Sequence, residues 1–423
     1  MNFLLNKYQI VLEQGIMSLL NFCLIFVLSK IVSANLFKDF LLGYSIVIII
    51  TLIISSFANQ PLQVFLRGKN NKSYFYKVFL MNLLFLLITS IICVIVITNF
   101  YYFLIDSLPY IITLAFVISI YDAMRRVSFV YFQNNFSANL LTSTSVLFFF
   151  FLTIFFFYSV DNLNIENIYI SLIISYLLGL FIFIFLKVKS IKILLFQKSE
   201  SKNKRTFAEV FKKHYSYASW LVIGIVFFWI YTQGIYFVAE KHLTVEDFNA
   251  VRISQNLVGV LSVLFVTFEN TMLVKTSLIF EQKKLAGINV FVKKILKKLI
   301  LPFIVILVLS CLVVTQLYKF YYQDNSFYSD KITYVLYFFL YQFLFGVSRI
   351  FVVVLKAINA TKYILYSHFL SAIFTILLAQ LLFLKFKNGI VLIFIMIFSM
   401  LVFSAGIYFF YRKIIKNELF RLN

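Results

Sequence analysis

A chain of 423 residues that is 62% hydrophobic and only 13% charged, with a mean hydropathy of +0.96, is excluded from the water-soluble folds. Its 3 Pro and 11 Gly, against 55 Phe and 27 Tyr, favour long helices over a β-barrel with an alternating polar lumen, and exclude disorder and collagen-like repeats. The formal charge of +22, from 38 Lys and Arg against 16 Asp and Glu, would suggest a nucleic-acid partner in a soluble chain; here the positions of the cations assign it to membrane topology instead.

A hydropathy window of about 19 residues predicts twelve spans, near 8–32, 39–59, 77–104, 108–132, 138–160, 166–187, 215–238, 249–275, 298–318, 332–354, 360–386 and 388–411. The first stretch has only Lys7 ahead of it and no small-residue cleavage signature after it, so it reads as a retained helix rather than a signal peptide. Cys23, Cys93 and Cys311 all fall in apolar runs and form no disulfide framework or metal motif. An even number of spans puts both termini on one side. With the N-terminus inside, the inner segments receive 30 of the 38 cations, including nine at 187–213 and seven at 275–298. The outer side receives 8: Lys30, Lys38, Lys241, Arg252, Lys319, Lys331, Lys385 and Lys387. The positive-inside rule therefore predicts that both termini are cytoplasmic.

The loops and motifs bear on catalysis. Outer loops of at most about fifteen residues leave little room for the catalytic carboxylates of a glycan polymerase or glycosyltransferase. There is no phosphate-binding G-x-x-x-x-G-K-[ST] loop and no H-E-x-x-H, and His214, His242 and His368 lie far apart in the chain. The reading is a non-enzyme with no cofactor and no metal.

The largest polar interruption divides the chain into an N-terminal six-helix lobe (1–187), a basic cytoplasmic linker (188–214) and a C-terminal six-helix lobe (215–423). The halves echo one another: Phe37-Lys-Asp-Phe40 opens span two and Val245-Glu-Asp-Phe248 opens span eight, 208 residues later. Each is followed by a polar pair, Asn59-Gln60 and Glu269-Asn270, with a slip of two or three positions. Spans one and seven run in the same direction, so the repeat is parallel.

Leu12-Glu-Gln-Gly-Ile-Met-Ser-Leu-Leu-Asn21, Leu28-Ser-Lys-Ile-Val32, Phe37-Lys-Asp-Phe-Leu-Leu-Gly-Tyr44, Asp122-Ala-Met-Arg-Arg126 and Asp247-Phe-Asn-Ala-Val-Arg-Ile-Ser-Gln-Asn256 with Glu269-Asn270 resemble landmarks of the Wzx-type O-antigen and capsular polysaccharide flippases. These belong to the multidrug/oligosaccharidyl-lipid/polysaccharide (MOP) exporter superfamily. The resemblance implies an all-α polytopic membrane protein of about twelve helices, in two six-helix lobes around a central cavity. It also implies a cargo, a polyprenyl-diphosphate-linked oligosaccharide, and other polysaccharide-assembly proteins as partners. Lys30 stands where many members carry Arg, so any phosphate contact there is by a point charge rather than a planar fork.

An ionisable group at a helix centre costs about 2.5–3.5 kcal/mol on insertion scales, so those present usually face a cavity or a partner. Arg252, Gln255, Asn256, Gly259, Ser262, Val266, Glu269 and Asn270 recur at helical offsets and predict one polar stripe along span eight. Gln14, Ser18 and Asn21 form a shorter stripe on span one, between Glu13 and Lys30. Trp229, Gln233 and Tyr236 share a face of span seven; Tyr334, Tyr337, Tyr341 and Ser348 approach one face of span ten near Arg349. Asp122 is placed to pair with Arg126 one turn on. The bland alternatives are helix-to-helix glue for the amides and headgroup anchoring for Lys30, Arg125, Arg126 and the tyrosines.

The candidate substrate contacts are thus Gln14, Asn21, Lys30, Arg125, Arg126, Trp229, Gln233, Arg252, Gln255, Asn256 and Arg349, with Glu13, Asp122 and Glu269 as candidate ion-coupling groups. The expected activity is movement of the lipid-linked glycan from the inner to the outer leaflet by alternating access. The alternatives are a multidrug cation antiporter of the same superfamily, a membrane glycan polymerase and a scaffold without transport.

Overall fold

The computed structural model describes residues 2–61, 72–131, 137–161, 163–196, 206–324 and 328–422. The basic run 198–205 and two of the inner cations, Arg67 and Lys69, lie outside the described residues. Scarce Gly and Pro let helices run long, and no strand occurs among the described residues. In chain order, unit 1 contains α1 (Asn2–Ile31), α2 (Ala34–Ile54), α3 (Lys72–Phe100), α4 (Leu108–Tyr131), α5 (Ser137–Ser159) and α6 (Ile165–Phe196). Then α7 (Phe207–Trp229) continues through a π-helical turn, Ile230–Gly234, into Ile235–Ala239. The remainder are α8 (Val245–Gly259), α9 (Ser262–Tyr322), α10 (Ile332–Ala357), α11 (Lys362–Phe383) and α12 (Gly389–Leu422).

Ten of these helices are long and apolar enough to cross a membrane; α1 and α8 are the exceptions among the described residues. The described apolar part of α1 is short, Gly15–Ile31. The expected eighth span is not one helix: α8 ends at Gly259, a turn intervenes at Val260–Leu261, and α9 takes up the rest. α9 itself breaks at Lys284, whose φ of 50° and ψ of −154° lie in a region that side chains rarely adopt. That break separates the expected spans eight and nine.

The chain divides into two compact units, Met1–Ile225 and Val226–Asn423, with the division inside α7. In unit 1, α5 packs along α6, α2 and α6 along α4, and α1 along α5. In unit 2, α9, α8 and α12 pack on α10, and α11 packs on α12.

Polarity is inverted relative to a soluble protein. Leu87, Ile91, Phe155, Phe181, Leu312 and Val313 are exposed, whereas Ser171, Ser175, Ser367, Ser371, Thr375 and Ser399 are buried. In hydrocarbon every polar group needs an internal partner, and these hydroxyls find theirs. Ser371 and Thr375 donate to carbonyls one turn back on α11, and the Thr375 hydroxyl meets Ser399 Oγ of α12 at 2.6 Å. Small residues spaced four apart let these two helices approach closely.

The internal echo has a structural basis within each unit. Ser33 caps α2 by accepting from Leu36 N, and Thr244 caps α8 by accepting from Asp247 N, 211 residues later. In that register Phe37 matches Phe248, both buried, and Asn59 matches Asn270 without the slip that the 208-residue alignment needs.

Candidate functional site

Each unit carries its own cluster of charged groups among its helices. In unit 1, α2 ends in a π-helical turn, Ser55–Asn59. A π-turn inserts an extra residue and re-aims side chains and carbonyls. Ser55 Oγ and Asn59 Nδ2 both reach Asp122 Oδ2 on α4, at 2.8 and 3.2 Å. Arg126 Nε donates to the same carboxylate at 2.8 and 3.0 Å, as the one-turn spacing anticipates, and its Nη2 donates to Ser55 at 3.1 Å. Arg125 points the other way around α4: Nη1 donates to Glu13 of α1 at 3.0 Å, while Nη2 keeps a 3.3 Å contact with Asp122. Glu13 is 1% exposed and also accepts from Ser143 of α5, whose hydroxyl meets Tyr121 OH at 2.9 Å. Two guanidiniums therefore face two carboxylates within this group, and the four formal charges cancel.

The other unit 1 candidates are dispersed. Asn21 accepts from Tyr44 OH at 2.9 Å and is otherwise exposed; Lys30 is exposed at the end of α1. The side chain of Gln14 lies outside the described residues.

In unit 2 the expected stripe divides at the α8–α9 turn into two groups. The first surrounds Arg252, which is 2% exposed on α8. Its Nη1 donates to the amide oxygens of Gln233 and, at 3.1 Å, of Gln255, and its guanidinium carbon lies 4.3 Å from the centre of the Tyr236 ring. Tyr236 OH donates to Gln255 Oε1 at 3.0 Å, and Gln255 Nε2 donates to Thr232 O, a carbonyl within the second π-turn. The structure thus brings together Gln233 and, from the span-eight stripe, Arg252 and Gln255. Asn256 turns back to the Arg252 carbonyl of its own helix, and Trp229 packs over Gly234 and against Phe237.

The second group centres on Glu269 of α9, which is paired with Arg349 Nη1 at 3.4 Å and with Lys356 Nζ, both on α10. Arg349 also stacks over Phe345, 4.0 Å from the ring centre. The side chains of Val266 and Asn270 lie outside the described residues.

The tyrosines expected near Arg349 serve different ends. Tyr334 OH donates to Asp247 at the α8 N-terminus at 2.9 Å, beside the Lys331–Asp247 pair, while Tyr337 is exposed.

Several partners escape sequence reasoning. Ser55, Ser143 and Tyr121 carry no charge to flag them, and Lys356 counts in the sequence only as one more inner cation. Two histidines are also built in. His214 of α7 takes Tyr74 OH of α3 at 2.6 Å and the π-turn carbonyl of Phe57 at 2.9 Å, so both ring nitrogens are engaged within unit 1. His368 of α11 meets Tyr231 OH at 3.0 Å and stacks on Phe403.

No family model matches the chain, and no curated protein sequence matches it significantly. Solved structures do match. An inward-facing multidrug resistance MATE family transporter of the MOP superfamily aligns with a TM-score of 0.65 at 12% identity, covering 97% of this chain and 95% of that one. A MOP superfamily transporter from Pyrococcus furiosus aligns at 0.66 and 11% identity with the same coverage. An outward-facing MATE transporter aligns at 0.60 and 14%, also with the same coverage. The protein is therefore a multi-pass membrane protein with the two-lobed, all-helical fold of MOP superfamily transporters.

Proposed function

We propose that this chain is a flippase that carries a polyprenyl-diphosphate-linked oligosaccharide from the inner to the outer leaflet of the cytoplasmic membrane by alternating access. The observation that supports this reading is the gathering of cations inside unit 2: Arg349 and Lys356 share the carboxylate Glu269, and buried Arg252 is oriented by amide oxygens and a tyrosine ring. A diphosphate crossing hydrocarbon needs such donors, since an unpaired charge there is prohibitive. The wells that bind amphiphilic cations call for the opposite sign. The Pyrococcus furiosus transporter of similar fold is described by a reverse polarity of its binding pocket that suggests a different function.

In this reading Arg349 and Lys356 receive the diphosphate on the inner side and Arg252 lies nearer release, with Lys30 at the outer end of α1. Arg125 and Arg126 contribute when cargo competes with Glu13 and Asp122 for them. Gln233, Gln255, Asn256, Trp229, Gln14 and Asn21 are assigned to the sugars. Glu13, Asp122 and Glu269 are the ion-coupling candidates.

The test is a deletion strain in which lipid-linked glycans are extracted, assigned to a leaflet and compared with surface polysaccharide, with complementation by the native chain and by Arg252→Ala and Arg349→Ala. Inner-leaflet accumulation with loss of surface glycan, not rescued by either variant at normal protein abundance, is the expected result. Full export by both variants removes the residue assignment. The multidrug description of the same-fold transporters supports a second reading, cation antiport. Unchanged glycans with increased sensitivity to cationic drugs would establish that reading instead, and single repeat units accumulating on the outer leaflet would indicate a polymerase.

A further inference from the structure

We propose that the turn between the two arms of α9 is a docking face for the anionic headgroups of inner-leaflet phospholipids. At Lys284 the chain reverses. Lys275 Nζ lies 5.7 Å from the centre of the Phe291 ring, and a Cβ on Gly287 would meet Ile279 Cγ2 at 3.4 Å. Contacts between residues on either side of the break, nine before and seven after, make this a helical hairpin.

The arm that follows the break is two-faced. Ile288, Val292 and Ile295 are buried at spacings of four and three, and Asn289 accepts from Tyr411 OH of α12 at 3.3 Å, so this edge is fastened to unit 2. Lys293, Lys294, Lys297 and Lys298 are exposed on the opposite face, and Lys283 and Lys284 are exposed at the tip. Residues 283–298 hold six lysines and no carboxylate. Arg412 and Lys413, next to Tyr411, add two more exposed cations.

Position selects the partner. Lys298 directly precedes the apolar run that opens at Leu299. At about 1.5 Å per residue, Lys293 to Lys298 cover about 8 Å along the helix, close to the depth of one headgroup layer. Long lysine stems lie along apolar surface while their ammonium groups reach phosphate oxygens. The face lies on the cation-rich side of the chain, which the positive-inside rule places at the leaflet whose surface potential is negative. The inference is independent of the cargo.

The test uses the full chain in phosphatidylcholine vesicles containing a fifth phosphatidylglycerol, with trace spin-labelled phosphatidylglycerol or phosphatidylcholine reporting the lipid immobilised at the protein. The expected result is preferential immobilisation of phosphatidylglycerol, with each lysine worth up to about fivefold. That preference falls when Lys293, Lys294, Lys297 and Lys298 are all replaced by Gln, and is retained when all four are replaced by Arg. For the native chain, about 1 M salt, where screening acts within about 3 Å, gives the same loss and needs no folded variant. Equal immobilisation of the two lipids by the native chain overturns the proposal, as does a preference that survives the fourfold Gln replacement. Loss of preference on adding inorganic phosphate at constant ionic strength also overturns it, because the face would then be a free-anion site.

Discussion

Gly43 of α2 is where a single atom decides packing. A Cβ there would sit 2.2 Å from Tyr169 OH and 3.0 Å from Ile111, and Tyr169 is fully buried with its hydroxyl on the Phe40 carbonyl. Gly43→Ala is expected to cost about 1–3 kcal/mol through overpacking, read as a lowered Tm in detergent. Gly15 of α1 has nothing within 4 Å, so Gly15→Ala is expected to leave Tm unchanged or to raise it, since Ala is the better helix former by about 1 kcal/mol. Equal effects from the two substitutions would show that close approach at Gly43 is not what holds α2 against α6.

At the scale of elements, polar groups tie helices together where apolar packing has no driving force against lipid. Asp122 joins α4 to the π-turn after α2, and through Arg125 the link extends to α1. Asp122→Asn leaves Arg126 without the carboxylate that its Nε–H shares between two oxygens; for this part-buried pair the expected cost lies below the roughly 3–5 kcal/mol of breaking a fully buried one. Adding Arg126→Gln is expected to recover part of the lost Tm, because no uncompensated charge then remains. If the double variant is the sum of the single ones, the two residues are not coupled as their 2.8 Å contact implies. The turn at Val260–Leu261 acts at the same scale. It gives Arg252 to the Gln233 amide of the π-turn after α7 and Glu269 to the cations of α10, where one continuous helix would have aligned them in a single stripe.

At the scale of the whole molecule both units are cationic: residues 1–225 hold 18 Lys and Arg against 8 Asp and Glu, and residues 226–423 hold 20 against 8. The clusters differ instead: Glu13 and Asp122 balance Arg125 and Arg126, whereas Glu269 stands with two cations, Arg349 and Lys356. Export coupled through Glu13, Asp122 or Glu269 is expected to respond to an imposed proton or sodium gradient in proteoliposomes, with flux of lipid-linked glycan as the readout. Indifference to both gradients would leave substrate charge and membrane potential as the drive.

The sequence by itself determined the helical class, the membrane setting and the short list of charged residues, because hydropathy and helical period are local properties that twenty consecutive residues express. It also anticipated the Asp122–Arg126 pair, since that follows from spacing and polarity. Tertiary structure alone decided which acid faces which base. Glu13 and Arg125 are 112 residues apart, and Glu269 and Lys356 are 87 apart, so no periodicity links them. Neutral partners such as Ser55, Ser143 and Tyr231 were silent in the sequence because a hydroxyl in an apolar run costs little to place and gains a role only from what the fold sets opposite it. The breaks at Val260–Leu261 and Lys284 were equally silent. Gly259 stands directly before the first break but also fits the polar stripe of a continuous helix, and the residues around Lys284 include no Pro, so neither break interrupts the local pattern.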